Sequence, residues 1–203
     1  MTTKHTTREE WLQAAIVALR PMFAALGHQI PEVRVSVGFP GGRNARKTVI
    51  GQCWNPAASA DGVGQIFISP ILGDVAEVLE TLAHELVHAV NHANGESGHG
   101  KEFAAIAKPL GFLAPMTSTP ANEVLKANLR AIAALLGEYP HAALTPELAG
   151  VKKQGTRQLL VVCAEADPLA DPKTIYKVRM TRQWLDSVGS PICPCHGLEM
   201  REV

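Results

Sequence analysis

The sequence lacks several features that define common classes of protein. Its 19 Lys and Arg residues balance 19 Asp and Glu residues, so the chain carries no net charge that would attract nucleic acid or an anionic membrane from a distance. No apolar run reaches the roughly 20 residues that a membrane span requires, and residues 1–10 are polar. The four cysteines suit reduced thiols or a metal site better than a secreted disulfide framework. We therefore expect a soluble, cytoplasmic protein with no membrane partner.

An H-E-x-x-H motif, His84 to His88, lies inside an apolar run with helical spacing. Residues four apart share one face of a helix, about 5–6 Å apart, so His84 and His88 can bind the same Zn²⁺ ion. Glu85 follows His84 directly, which places it to activate a water molecule as a general base. A helix without a site would carry Ala or Leu at these buried positions, because unpaired polar groups are costly to bury. The motif therefore predicts a zinc site with a catalytic base.

A catalytic zinc keeps three protein ligands and one open position, so the motif requires a third ligand. His92 continues the series, but it lies about 12 Å along the helix axis from His84, which is too far for one ion to bind both. Metzincin spacing would place the third histidine at Asn94, which excludes that class. Three later residues have side chains that could bind the ion, namely Glu96, His99 and Glu102. We favour His99, because the glycines on either side let the backbone bring its imidazole back against the helix.

These segments resemble a known family. The segment His84-Glu85-Leu86-Val87-His88-Ala89, followed by Gly98-His99-Gly100-Lys101-Glu102-Phe103, is similar to the SprT-like domain, the metalloprotease domain also found in the DNA–protein crosslink protease Spartan. Residues 51–54 and 66–70 are similar to strands of that family, and the resemblance covers residues 10–110 well. It implies a zinc-dependent peptidase that acts on protein or peptide substrates, with DNA-associated proteins among them.

Hydrophobic periodicity predicts an α+β fold, in which a small, mainly antiparallel three-stranded sheet packs on helices that include the H-E-x-x-H helix. The predicted helices cover residues 7–26, 74–94 and 101–108, and a fourth starts at Thr119-Pro120. The predicted strands cover residues 33–37, 48–54 and 65–69. An exposed sheet edge beside the metal would hold a substrate peptide by strand addition. We predict an SprT-like domain over residues 1–137, a linker over 138–156 and a C-terminal module over 157–203.

The C-terminal module contains three of the four cysteines. Cys163 and the segment Cys193-Pro194-Cys195-His196 resemble the zinc ribbon that often follows the SprT-like domain. Such a ribbon expects a second cysteine where this chain has Ala166, so a structural zinc here needs Cys193 with Cys195 or His196, beside Cys163. A metal-bound ribbon and a metal-free hairpin with a small apolar core are both open interpretations.

Basic side chains interleave with Tyr176 and Trp184 in the same module. The basic residues that we take as a candidate nucleic-acid surface are Lys152, Lys153, Arg157, Lys177, Arg179 and Arg182. Such a surface would contact phosphates and stack on bases, whereas the simpler interpretation is a solvated face of a hairpin. The family resemblance adds weight to DNA as a partner.

Two functions from different classes follow. The first is a zinc metallopeptidase in which His84, His88 and His99 hold the ion and Glu85 activates water. The second is a non-catalytic, nucleic-acid-associated accessory factor whose zinc site is structural. A fourth protein ligand from Glu96 or Glu102 would favour the accessory factor, and an open position would favour the enzyme.

Overall fold

A computed structural model describes residues 4–39, 49–145, 158–165 and 175–203. The chain divides into two compact units, Met1–Ala149 and Gly150–Val203. The first unit combines helices with a three-stranded sheet, so the predicted α+β class is confirmed. In the described part of the chain, no helix is both long enough and apolar enough to cross a membrane.

Helix α1, Arg8–Ala24, begins at the capping box that the sequence predicts. The Thr7 hydroxyl accepts a hydrogen bond from the Glu10 backbone N–H at 3.1 Å, and the Glu10 carboxylate accepts one from the Thr7 N–H in return. One face of the helix is buried, and its apolar residues are Trp11, Leu12, Ala15, Ile16, Leu19 and Phe23. This face packs on the sheet and on the last helix of the unit.

The sheet contains strands β1 (Val33–Val37), β2 (Gly51–Trp54) and β3 (Gly64–Ile68), in the order β1-β3-β2. The central strand β3 is parallel to β1 and antiparallel to β2. Its residues alternate between buried and partly exposed, with Ile66 and Ile68 facing the helices. The order leaves β2 at one edge of the sheet, where it packs against the H-E-x-x-H helix.

Helix α2, Val75–Ala93, carries the H-E-x-x-H motif and crosses the middle of the first unit. The Asp74 side chain caps it by accepting hydrogen bonds from the backbone N–H groups of Ala76 and Glu77, both at 3.0 Å. Its apolar residues include Leu79, Leu82 and Leu86, all fully buried. The chain leaves the helix through Gly95, whose φ of +81° lies in the left-handed region that favours glycine. The predicted start and end are confirmed.

Two further helices complete the first unit: α3 (Lys101–Leu110) and α4 (Glu123–Leu136). The prediction that the last helix starts at Thr119-Pro120 is wrong. Asn122 caps α4 by accepting a hydrogen bond from the Leu125 N–H at 2.8 Å. Thr119 has φ of +34°, which differs from the extended conformation of a cap residue, and its hydroxyl contacts a side chain of α2.

The second unit contains β4 (Gln158–Val162), β5 (Lys177–Thr181) and β6 (Arg201–Glu202), with β4 antiparallel to both of the others. The short helix α5, Arg182–Val188, follows β5 directly, and the Thr181 hydroxyl caps it. Among the described residues of this unit, the buried core consists of Val161, Cys163, Cys193 and Met200. Half of this core is cysteine.

Candidate metal centre and active site

Three histidine side chains converge in the first unit. His84 and His88 project from the same face of α2, because they are four residues apart. Nε2 of His99 lies 3.2 Å from Nε2 of His84 and 3.0 Å from Nε2 of His88. Two ligands of one tetrahedral zinc ion at Zn–N distances of about 2.0–2.1 Å are about 3.3 Å apart, so the three nitrogens fit a shared ion.

His99 reaches this point through the turn between α2 and α3. Gly98 has φ of +72°, a backbone conformation that is strained for residues with a side chain. Gly100 is the residue before α3. Among the described residues, the group that can hold a metal here consists of the three histidines and contains neither Glu96 nor Glu102. The Glu102 carboxylate instead lies 3.4 Å from the Lys101 amine. The structure therefore brings together the three histidines that we favoured.

The surroundings keep these imidazoles neutral. Burial, and to a lesser extent His99, lowers the pKa of His84 to about 4, and burial first of all lowers the pKa of His88 to about 3. The Phe103 ring supplies much of the apolar surface, with its centroid between 4.5 and 5.1 Å from those of the three histidines. A neutral imidazole offers a lone pair to a metal, so the donor set suits zinc near neutral pH.

The side chain of Glu85 is enclosed between its own helix, α2, and strand β2, and 5% of the residue's surface is exposed. Burial raises its pKa to about 8, and a hydrogen bond from the Cys53 backbone N–H opposes that rise. The approach of β2 is close: a Cβ atom on Gly51 would lie 2.5 Å from Glu85 Oε1 and 2.6 Å from Thr81 Cγ2. Glycine at position 51 thus lets the strand pass beside the carboxylate.

The hydrogen-bond pattern of β2 gives the direction of its backbone groups. Ser69 N–H donates to the Ile50 carbonyl at 2.8 Å, next to the pair Gly51 and Ile68. In an antiparallel pair, successive residues point alternately toward and away from the partner strand, so Gly51 and Cys53 point away from β3. The bond from Cys53 to Glu85 agrees with this direction. Glu85 therefore lies along the outer edge of β2.

Two contacts near the histidines were not identified from the sequence. Thr119 Oγ1 lies 2.5 Å from Nδ1 of His84, and the Thr119-Pro120 pair had instead suggested the start of a helix. His92 Nδ1 lies 3.8 Å from Cys53 Sγ, away from the nitrogens that converge. No local sequence signal pairs residues 35 or 39 positions apart, so only the fold reveals these contacts.

A second group of metal-binding side chains lies in the second unit: Cys163, Cys193 and His196. Cys163 Sγ is 3.1 Å from Nδ1 of His196. Although burial acts to raise it, hydrogen bonds with Cys163 and His196 bring the pKa of Cys193 down to about 7. Cys195 is exposed, and its thiol interacts with that of Cys193. A thiolate between two other donors is suited to a structural metal.

The candidate nucleic-acid residues fall into two sets. Lys152, Lys153 and Arg157 lie outside the described residues. Lys177 and Arg179 are exposed on β5, two residues apart and hence on the same side of the strand. Arg182, the first residue of α5, forms an ion pair with Glu202 at 2.6 Å. Trp184 is 61% exposed, so an aromatic ring lies on the surface of the same unit.

An α+β unit is built around a helical H-E-x-x-H motif, and a histidine from the loop after that helix lies against it. This arrangement defines a class of metal-binding domain related to the metallopeptidases. The family model described as the SprT-like family matches residues 21–124, about half of the chain. This chain belongs to the SprT-like family. The match includes all three histidines and Glu85, and it ends before the second unit. A search of curated proteins and a search of solved structures each found no match.

Proposed function

We propose that this protein is a cytoplasmic zinc-dependent peptidase in which His84, His88 and His99 hold the ion. The observation that carries this proposal is the combination of three converging imidazole nitrogens with the buried carboxylate of Glu85, the residue that follows His84 on the same helix. When bound, zinc would lower the pKa of water toward about 7 and polarise the carbonyl of the scissile peptide bond. The family and the neutral state of the imidazoles both support zinc as the cofactor.

Glu85 would act as the general base: it takes a proton from the attacking water and passes it to the leaving amine. Its enclosed position supports this role, because the positive charge of a bound zinc ion would favour the ionised carboxylate, which is the form that accepts a proton. The Cys53 N–H holds the carboxylate by a hydrogen bond. Helix α2 thus carries the base, and strand β2 holds its carboxylate in place.

The edge of β2 favours an extended peptide as the substrate. The carbonyl groups of Gly51 and Cys53 point away from β3, on the side where Glu85 lies. A peptide that adds to this edge as a further strand would pass its backbone beside the carboxylate. We propose that the partners of the second unit select the substrates, and that these substrates include DNA-associated proteins.

The accessory-factor alternative requires a metal site closed by a fourth protein ligand. Glu96 and Glu102, the residues considered for that position, are not part of the described group of metal-binding side chains. This supports an open position and therefore the enzyme. The exposed Trp184, which lies in the same unit as the exposed Lys177 and Arg179, supports nucleic acid as a partner under either function.

For the second unit we propose a structural zinc held by Cys163, Cys193 and His196, with Cys195 as the fourth ligand. The small core supports this role, because the four buried side chains found among the described residues of this unit stabilise it weakly. The unit departs from a ribbon with two C-x-x-C pairs, since Cys193 and Cys195 are two residues apart and a histidine follows them.

Glu85→Gln tests the proposed mechanism. Glutamine is nearly isosteric and equally compatible with a helix, so the variant should keep the zinc in the first unit, while cleavage of a flexible protein substrate falls about 10²–10⁴-fold. His88→Ala should lose that zinc together with the activity. Zinc content and cleavage rate, with and without DNA, would be measured in parallel.

Glu102→Gln is the matched control, since it removes a carboxylate from the first turn of the helix that follows His99, and this carboxylate is not part of the histidine group. It should retain both zinc and activity. A Glu85→Gln protein that cuts as fast as the wild type would remove Glu85 as the base, and one that loses its zinc would mean that Glu85 is a ligand.

A further inference from the structure

We infer that Thr119 is a positioning residue of the candidate metal centre, whose hydroxyl holds the His84 ring in the orientation and tautomer that metal binding requires. The inference rests on the proposed zinc site, but it does not depend on peptidase activity. It concerns a residue that lies 35 positions from His84 in the sequence.

The two nitrogens of the His84 ring face different partners. Nε2 points toward His99 Nε2 at 3.2 Å, and Nδ1 lies 2.5 Å from Thr119 Oγ1. A neutral imidazole carries one proton, and the nitrogen that binds a metal must offer its lone pair. The proton of a metal-binding His84 therefore belongs on Nδ1, where it is donated to the Thr119 oxygen. Histidine ligands commonly require such a partner behind the ring.

The fold fastens the Thr119 segment to α2 rather than leaving the contact to a mobile loop. Glu80 precedes His84 by one helical turn, and its carboxylate accepts a hydrogen bond from the Ala121 N–H at 2.7 Å. The Thr119 N–H donates to the Pro115 carbonyl at 2.8 Å, which closes the turn before it. Helix α2 thus holds this segment through two side chains on the same face, Glu80 and His84.

The backbone of Thr119 is an unusual one for its residue type. Its φ of +34° lies in the left-handed region, which β-branched residues rarely adopt, and the residue is 2% exposed. Such conformations persist where the surroundings impose them, often at functional sites. Glycine would adopt this backbone more easily, but it would lack the hydroxyl that faces His84. The oxygen that faces Nδ1 of His84 is therefore held on a buried residue whose backbone is fixed by its surroundings.

The test compares Thr119→Val, which keeps the shape and removes the hydroxyl, with Thr119→Ser, which keeps the hydroxyl. The control is Thr117→Val, an exposed threonine of the same turn. Zinc affinity would be measured by competition with a chelator. The full-length proteins compared would have the same zinc occupancy in their second units. We expect Thr119→Val to weaken binding at the first site about 10–100-fold, and Thr119→Ser and Thr117→Val to stay within a few-fold of the wild type.

Nitrogen-15 NMR of the zinc-loaded protein gives a readout that loss of packing would not imitate. The wild type should show His84 protonated at Nδ1, with a proton signal that is protected from exchange, and Thr119→Val should lose that protection. Equal zinc affinity in Thr119→Val and wild type would overturn the inference, and so would a Thr119→Ser protein as weak as Thr119→Val. A wild type that binds zinc but cuts no protein would overturn the peptidase and leave this inference standing, whereas a first unit that binds no zinc would overturn both.

Discussion

Glu85 and its histidine neighbours respond to burial in opposite directions. Removing water disfavours the charged form of each group, so the carboxyl holds its proton to higher pH and the imidazoles release theirs at lower pH. The pKa of Glu85 rises to about 8, while the pKa values of His84 and His88 fall to about 4 and about 3. In the absence of metal, these residues are therefore kept neutral by the fold, and the stability of the fold depends on pH.

The pH dependence of Glu85 predicts a stabilising substitution. Its ordinary pKa is 4.5, and its folded pKa is about 8, so the folded chain holds this proton over a range in which the unfolded chain releases it. Stability linked to Glu85 is thus fully present below about pH 4.5 and is lost as pH rises through about 8. Metal-free Glu85→Gln should exceed the wild type in free energy of unfolding by about 3 kcal/mol at pH 7, and the gain should vanish near pH 4.5.

Urea denaturation at several pH values, in the presence of a chelator, measures this difference. Both proteins carry the same histidines, so the histidine contribution cancels in the comparison. Glu96→Gln changes an exposed carboxylate and should match the wild type throughout. A pH-independent difference between Glu85→Gln and wild type would contradict the buried, proton-holding state of Glu85.

At the scale of elements, the hairpin of β4 and β5 packs on a core that has four buried residues in the described part of the unit, two of them cysteines. Cysteine packs as a small apolar side chain, but so few residues bury little surface. A metal bound by Cys163, Cys193 and His196 would tie β4 to the segment before β6. The hairpin would therefore need the ion for its stability, whereas the first unit has a larger apolar core of its own.

Cys163→Ser should lower the zinc content from two ions to one per chain. The second unit should lose its ordered NMR signals, because binding energy at a structural site is folding energy, whereas the signals of the first unit should persist. Cys53→Ser is the matched control, since Cys53 belongs to neither group of metal-binding side chains described here, and it should keep both ions. One ion in wild type and Cys163→Ser alike would rule out zinc in the second unit.

At the scale of the whole molecule, the two units divide the proposed tasks. The first contains the candidate peptidase site, and the second presents exposed aromatic and basic side chains. The zero net charge means that any affinity for DNA must come from a local surface. We therefore expect DNA binding and zinc-dependent cleavage to be separable by truncation.

A chain that ends at Ala149 should keep one zinc ion and bind single-stranded DNA more weakly than the full chain does. The full chain should also lose affinity more steeply with salt, because each phosphate contact releases counterions. Trp184→Ala in the full chain keeps both units and should weaken binding through the loss of stacking alone, with the salt dependence unchanged. Equal binding by truncated and full-length proteins at moderate salt would refute a DNA-binding second unit.

The sequence by itself determined the features that depend on near neighbours in the chain. Capping side chains at Thr7 and Asp74 define the starts of α1 and α2, because a cap bonds to the backbone two or three residues away. The spacing of His84 and His88 places both on one face of a helix for the same reason. The glycines around His99 indicated that its side chain could return to that helix.

Only the tertiary structure decided which distant groups meet at the site. It is the pairing of β3 with both β1 and β2 that leaves β2 at the edge, with Gly51 and Cys53 against Glu85. The same holds for Thr119, where the local pattern of a helix start yields to a contact with His84. Such contacts join residues that are tens of positions apart, and their energies depend on the packing of whole elements, which local spacing does not encode.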